Sequence, residues 1–192
     1  TGGSVANLNG QTEGFTITGQ GGIDIITGGS GADIITDGSG NVNDTITGGA
    51  GNDIITIAAG TDIVKDLGGA SGTDEDVVVI KTGASLDAVD IIGFTATSDT
   101  KNDSTSASNA TLTAKDANDV TIDVSKATGS SGAFKLVGGT GKDTLTGGAG
   151  ADIITGGDDI DTIDGGAAND IITGGAGNDI ITGGDGNDSI TI

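Results

Sequence analysis

The sequence predicts an all-β fold, a β-roll (β-solenoid) in two repeat blocks with an irregular β-rich insert between them. Three observations carry this. First, six nonapeptides run in register from Gly138 to Thr191: GGTGKDTLT, GGAGADIIT, GGDDIDTID, GGAANDIIT, GGAGNDIIT and GGDGNDSIT. Four satisfy G-G-x-G-x-D-x-U-x, with U a large apolar residue; the other two depart only at the third glycine, where Asp159 and Ala168 stand. Second, two more complete copies lie near the start, GGSGADIIT at 28–36 and GGAGNDIIT at 48–56. Third, Gly makes up 39 of 192 residues, against an average of about 7%, and Pro is absent. A nine-residue unit cannot bury its own apolar position, so copies must stack. Without a Gly-X-Y period or Pro, collagen is excluded.

Residues 1–18 form a polar lead-in anchored by Phe15-Thr-Ile17. A degenerate copy, GQGGIDIIT, occupies 19–27, followed by the complete copy at 28–36. DGSGNVNDTIT at 37–47 is two residues too long; the copy at 48–56 follows, then a decaying one with Gly60, Asp62 and Val64 in phase. Residues 1–65 therefore hold the lead-in and first block, 66–137 the β-rich middle segment, and 138–192 the second block. With no Pro/Gly/Ser linker, the whole is expected to be one elongated unit. In the middle, Val77–Ile80 and Asp90–Phe94 read as strands, and Ser98–Asn109 as an exposed polar loop. Thr111–Ala114 and Val120–Val124 read as a hairpin about a turn at 116–119. Ser85–Val89 reads as one helical turn, and Phe134–Val137 leads into the second block.

Within a nonapeptide, GGxGx makes a turn and D-x-U-x a short strand, with U on one face. If each copy is half a coil, copies two apart stack about 4.8 Å apart. Ile154, Ile172 and Ile190 then form one column, and Leu145, Ile163 and Ile181 the facing one. The same stacking pairs Asp143 with Asp161, Asp152 with Asp170, Asp161 with Asp179, and Asp170 with Asp188. In the first block it pairs Asp24 with Asp44 and Asp33 with Asp53. Two carboxylates about 4 Å apart repel by about 1 kcal/mol in water and about 4 kcal/mol at a protein-surface dielectric. A cation between them removes that cost. Carboxylates and turn carbonyls offer only oxygen, which suits Ca2+ better than zinc or magnesium. The alternative is that each Asp only accepts hydrogen bonds from turn amides.

The pattern resembles the RTX, or hemolysin-type, calcium-binding repeat of secreted Gram-negative bacterial proteins. The resemblance implies a right-handed parallel β-roll with several Ca2+ ions between turns. It implies ligation by Asp24, Asp33, Asp44, Asp53, Asp143, Asp152, Asp161, Asp170, Asp179 and Asp188. Carbonyls of turn residues such as Gly28, Gly48, Gly138, Gly147, Gly174 and Gly183 complete the sites. It also implies export by a type I system to the extracellular space or bacterial cell surface, with folding on meeting calcium there.

The chain carries a net charge of −21, from 28 acids against 7 bases. Nucleic acid, which needs clustered Lys or Arg, is not an expected partner. No apolar run is long enough for a membrane-spanning helix. With no His and no Cys, neither a Ser-His-Asp triad, an H-E-x-x-H zinc site nor a thiol nucleophile can be assembled, so no enzyme is expected. The absence of Met points to a processed product or a fragment.

The strand residue before U is often Ile (Ile25, Ile34, Ile54, Ile153, Ile171, Ile180), which should face outward. Outward apolar strips suggest a partner surface, or else serve β propensity or pack on 66–137. The repeats run to Ile192 without a visible cap, which suits either stacking on another copy or a longer parent. The Gly/Thr/Ala/Asp bias also resembles proteobacterial surface-layer proteins. The reading is a secreted calcium-binding structural protein that self-assembles as a homo-oligomer into a surface layer or filament. A cell-surface polysaccharide is carried as a further candidate partner. The alternative is a calcium-rigidified module, a stalk or folding driver, of a larger adhesin or toxin. An ice-binding solenoid fits less well, because Ile interrupts the Thr ranks.

Overall fold

A computed structural model describes residues 2–68, 75–104, 110–115, 119–129 and 132–192. Ten short strands hydrogen-bond in the order of the chain as one sheet. They are β1 (Val5–Asn7), β3 (Ile25–Thr27), β5 (Thr45–Thr47), β7 (Thr61–Lys65), β9 (Ser85–Ile91), β12 (Ala110–Ala114), β14 (Lys135–Gly139), β16 (Ile153–Asp158), β18 (Ile171–Ala176) and β20 (Ser189–Thr191). The intervening strands form two five-stranded sheets. One contains β2 (Thr16–Thr18), β4 (Ile34–Thr36), β6 (Ile54–Ile57), β8 (Val77–Ile80) and β11 (Lys101–Asn102). The other contains β10 (Gly93–Thr95), β13 (Thr121–Asp123), β15 (Thr144–Thr146), β17 (Thr162–Ala167) and β19 (Ile180–Asp185). Every pairing between these strands is parallel. The architecture is an all-β solenoid.

The core follows from one inward position per strand. Ile26, Ile46, Val64, Ala88, Leu112, Leu136, Ile154 and Ile172 stack in unbroken register along the ten-stranded sheet, all of them buried. Ile35, Ile55 and Val78 stack opposite in the first half, and Phe94, Ile122, Leu145 and Ile163 in the second. Each buried branched side chain contributes about 1.5–3 kcal/mol from apolar burial. The columns Ile154–Ile172–Ile190 and Leu145–Ile163–Ile181 form as the nine-residue period predicts.

The middle segment keeps the coil after the nonapeptide pattern stops. Val64 stacks on Ala88, Ala88 on Leu112 and Leu112 on Leu136, in steps of twenty-four residues. The solenoid therefore continues through longer turns. Four expectations are corrected by this. Ser85–Val89 is not helical but lies in β9, because β7 and β12 offer ladder partners on both sides while Leu86 and Ala88 alternate inward. Thr111–Ala114 and Thr121–Asp123 do not pair as a hairpin. They belong to different sheets, each parallel to strands one coil before and after. Of the turn expected at 116–119, residues 116–118 lie outside the described residues. Of the loop expected at 98–109, residues 105–109 also lie outside them, but Thr100, Asn102 and Ser104 are buried and Lys101–Asn102 joins β8. The strand expected at Asp90–Phe94 is divided. Asp90 adopts a left-handed φ of 60°, β9 ends at Ile91, and β10 begins the second five-stranded sheet at Gly93.

Candidate metal centre

The aspartate of each repeat sits where the turn enters its strand, and the coil spacing stacks these residues. Oδ1 of Asp44 accepts the Asp24 N–H at 2.7 Å, Oδ1 of Asp53 that of Asp33 at 2.8 Å, and Oδ1 of Asp161 that of Asp143 at 2.9 Å. Asp170 accepts from Asp152 at 2.7 Å, Asp179 from Asp161 at 3.0 Å, and Asp188 from Asp170 at 3.0 Å. All six expected pairs are thus brought together. Asp24, Asp33, Asp44, Asp53, Asp143, Asp152, Asp161 and Asp170 are buried, while Asp179 and Asp188 in the last coil are half-buried.

Amide bonding therefore occupies one oxygen of each of these carboxylates. The second oxygen divides them. Oδ2 of Asp24, Asp33 and Asp152 accepts an amide of its own turn, from Gln20, Gly29 and Gly148 at 2.7, 2.9 and 2.7 Å. Oδ2 of Asp62, Asp143, Asp161 and Asp170 is buried with no hydrogen-bond partner. An ionised oxygen in that position carries its full desolvation cost.

The first glycine of each repeat marks where those oxygens point. A methyl group at Gly138 would overlap Asp143 Oδ2 and the Gly156 carbonyl oxygen; at Gly147 it would overlap Asp152 Oδ2 and the Gly165 carbonyl. At Gly28 it would strike Asp33 Oδ2 and the Gly48 carbonyl. At Gly48, Gly174 and Gly183 it would strike Oδ2 of Asp53, Asp179 and Asp188. Only glycine leaves this space to oxygen atoms. Gly156 and Gly165 line equivalent spaces with Asp161 and Asp170. Sequence reasoning passed over them because their repeats depart at the third glycine. The departure is absorbed: Asp159 and Ala168 hold the left-handed φ of that position, at 75° and 78°.

Three aspartates beyond the expected set join the stacks. Asp62 accepts the Asp44 N–H at 2.7 Å, and Asp76 accepts the Asp53 N–H at 2.9 Å. Asp37 is buried beside Asp44 and Asp62. The phase of the decaying copy signals Asp62; Asp76, in the segment without a period, carries no comparable signal. Asp37 is visible only as an acid in the first-glycine position.

Burial governs the electrostatics. It pushes Asp152 up to about 7, against the opposing hydrogen bonds from Gly148 and Phe134 and with help from the Asp170 charge. Burial likewise raises Asp143 to about 6 and Asp62 to about 7. Asp44, Asp161 and Asp170 are also raised, by burial first and then by neighbouring acids, against hydrogen bonds to backbone amides. Such groups are satisfied either by a proton or by a cation. The donors are all oxygen, from carboxylates and turn carbonyls, which is the set that a large hard divalent ion takes. The residues fit calcium.

The family model of the RTX calcium-binding nonapeptide repeat matches in four copies, at residues 16–41, 43–64, 128–163 and 155–190. These spans cover more than half of the chain. No match was found among curated proteins or among solved structures. Register, buried acids and repeat match agree, and the chain belongs to the RTX calcium-binding repeat family.

Proposed function

We propose that this is a secreted calcium-binding structural protein that folds in extracellular calcium and self-assembles into a surface layer or filament. The observation that carries the calcium part is the set of buried, unpartnered Oδ2 atoms on Asp143, Asp161 and Asp170, repeated coil after coil beside glycine carbonyls. In this reading the ten expected aspartates and the first-position glycines are the ligand set. Residues 1–65 and 138–192 are the loaded blocks and 66–137 the spacer between them. Bound calcium supplies positive charge between stacked acids, which otherwise oppose closure of the coil. Export by a type I route fits this scheme, since a chain that needs calcium to close can stay open where calcium is scarce.

Assembly is supported by the outer face. Ile25, Ile34, Ile54, Ile171 and Ile180 are exposed, and Ile34 stacks on Ile54. Ile171 stacks on the half-buried Ile153. Solvent-facing apolar strips are surfaces suited to another copy. The test is sedimentation and electron microscopy of the purified chain in millimolar calcium and in chelator. Ordered assemblies in calcium, reduced by the paired change Ile34→Thr and Ile54→Thr, are expected. A calcium-loaded chain that stays monomeric at high concentration overturns assembly. It favours instead a calcium-rigidified stalk, for which the unbroken ten-stranded sheet is also suited.

A further inference from the structure

The turn that begins at Asp37 is built unlike the others. In the complete repeats the first residue is glycine, and in two of them the amide of the second bonds to that turn's own aspartate, Gly29 to Asp33 and Gly148 to Asp152. Ala58 is the second residue of the turn that leads to Asp62. Its amide bonds instead to Asp37, at 2.9 Å from each carboxylate oxygen. Asp37 also accepts the amides of Gly38 at 2.8 Å and Ala59 at 3.1 Å. Asp62 keeps the Asp44 N–H on Oδ1, but its Oδ2 is left buried without a partner, facing the Asp37 carboxyl. Two acceptors face to face need a shared proton or a cation between them.

One carboxylate oxygen from each of Asp37, Asp44 and Asp62 lies within 4.8 Å of the others, and none of the three residues is more than 2% exposed. Oxygens bound to one calcium at 2.3–2.6 Å are at most about 5 Å apart, so the three fit a single coordination sphere. We propose that Asp37, Asp44 and Asp62 form a separate calcium site held by three carboxylates, unlike the turn sites that combine repeat aspartates with glycine carbonyls. The inference rests on the reading of repeat aspartates as calcium ligands in sharing Asp44 and the stacked Asp62, and adds Asp37 to them. Ligand charge tunes calcium affinity over several orders of magnitude. Three negative charges make this the tightest site of the chain and the first to load.

The test is a calorimetric calcium titration of the full chain after chelation, with Asp37→Asn and Asp37→Gly alongside the original. The first variant keeps the shape and removes the charge, and the second restores the glycine of the repeat. Circular dichroism in saturating calcium checks that each reaches the original fold. The original chain is expected to show an early tight phase of one ion. Either variant that folds should weaken or lose it, by about tenfold or more in Kd, with later phases unchanged. Variants that titrate like the original, or an original chain whose calcium uptake has no tight phase, overturn the separate site while leaving the turn sites standing. An original chain that takes up no calcium overturns both readings.

Discussion

Replacing Asp143 by Asn should change the stability of the fold with opposite sign in chelator and in calcium. Asn preserves the shape, and its carbonyl oxygen can still accept the Val120 N–H that Asp143 Oδ1 takes at 2.9 Å. Its amide nitrogen replaces Oδ2, which has no partner and points toward the space shared with the Gly156 carbonyl. Without metal, burial holds the Asp143 carboxyl at about 6 in the fold, above its ordinary 3.8. Two pKa units are worth about 3 kcal/mol, and solvent screening beside the turn reduces this to about 1–2 kcal/mol. Because the folded value is raised, the stability is fully present below the unfolded value and is lost as pH rises through about 6. Urea unfolding in chelator, followed by far-UV circular dichroism, should therefore find the Asn variant about 1–2 kcal/mol more stable than the original at about pH 8. The two should be equal at about pH 4. In saturating calcium the variant has lost a charged ligand and should be the less stable of the two. A stability change that is the same in chelator and in calcium would show that the Asp143 charge meets no metal, and would refute the metal reading at this position.

Gly147→Ala places a methyl group against the Gly165 carbonyl and Asp152 Oδ2, and should cost about 2–4 kcal/mol in urea unfolding, whereas Gly2→Ala, with open space around it, should be neutral. Ala168→Gly relieves a left-handed φ of 78° and should raise stability by about 1 kcal/mol; an unchanged midpoint counts against strain there. Leu112→Ala, in the unbroken core column, should cost about 2–5 kcal/mol and shift the entire calcium-loaded unfolding transition, whereas a separate early transition would show that the middle segment unfolds by itself. For the whole chain, the raised values of Asp62, Asp143 and Asp152 predict that the metal-free fold loses stability as pH rises from about 4 to about 7. The calcium-loaded fold needs ionised ligands and should lose stability as pH falls, and circular dichroism across pH with and without chelator compares the two slopes.

The repeat blocks were legible because one period sets three things together. Nine residues fix where the turn opens, where the acid sits and which side chain points inward, so Ile154 over Ile172 and Asp152 over Asp170 follow from counting. The middle segment was not legible by the same count. Its coils are lengthened to twenty-four residues, and only the inward positions Val64, Ala88, Leu112 and Leu136 keep the beat. Three of those four are not isoleucine or valine, and no nonapeptide repeat marks the residues between them. A local pattern search therefore sees alternating strands and assigns the nearest partner, a hairpin. The solenoid supplies a partner one coil away instead, and parallel ladders on both sides make β9 extended where its own sequence could turn.

The same logic separates what the acids share from what they do not. All stacked aspartates bond to a backbone amide one coil away, so hydrogen bonding alone explains why Asp rather than Ile stands there. It does not explain why Asp143, Asp161 and Asp170 each bury a second oxygen with no partner, when Asn would offer a neutral side chain of the same shape. A solenoid built only on amide bonding gains nothing from that charge and pays its desolvation at each of these three positions. Retaining Asp makes physical sense when something positive occupies the space that the first glycine keeps open. The glycine and the orphaned oxygen are thus two halves of one requirement. The turn at Asp37 is the exception that follows the same rule, since there the glycine is replaced by another carboxylate and the charge to be balanced increases.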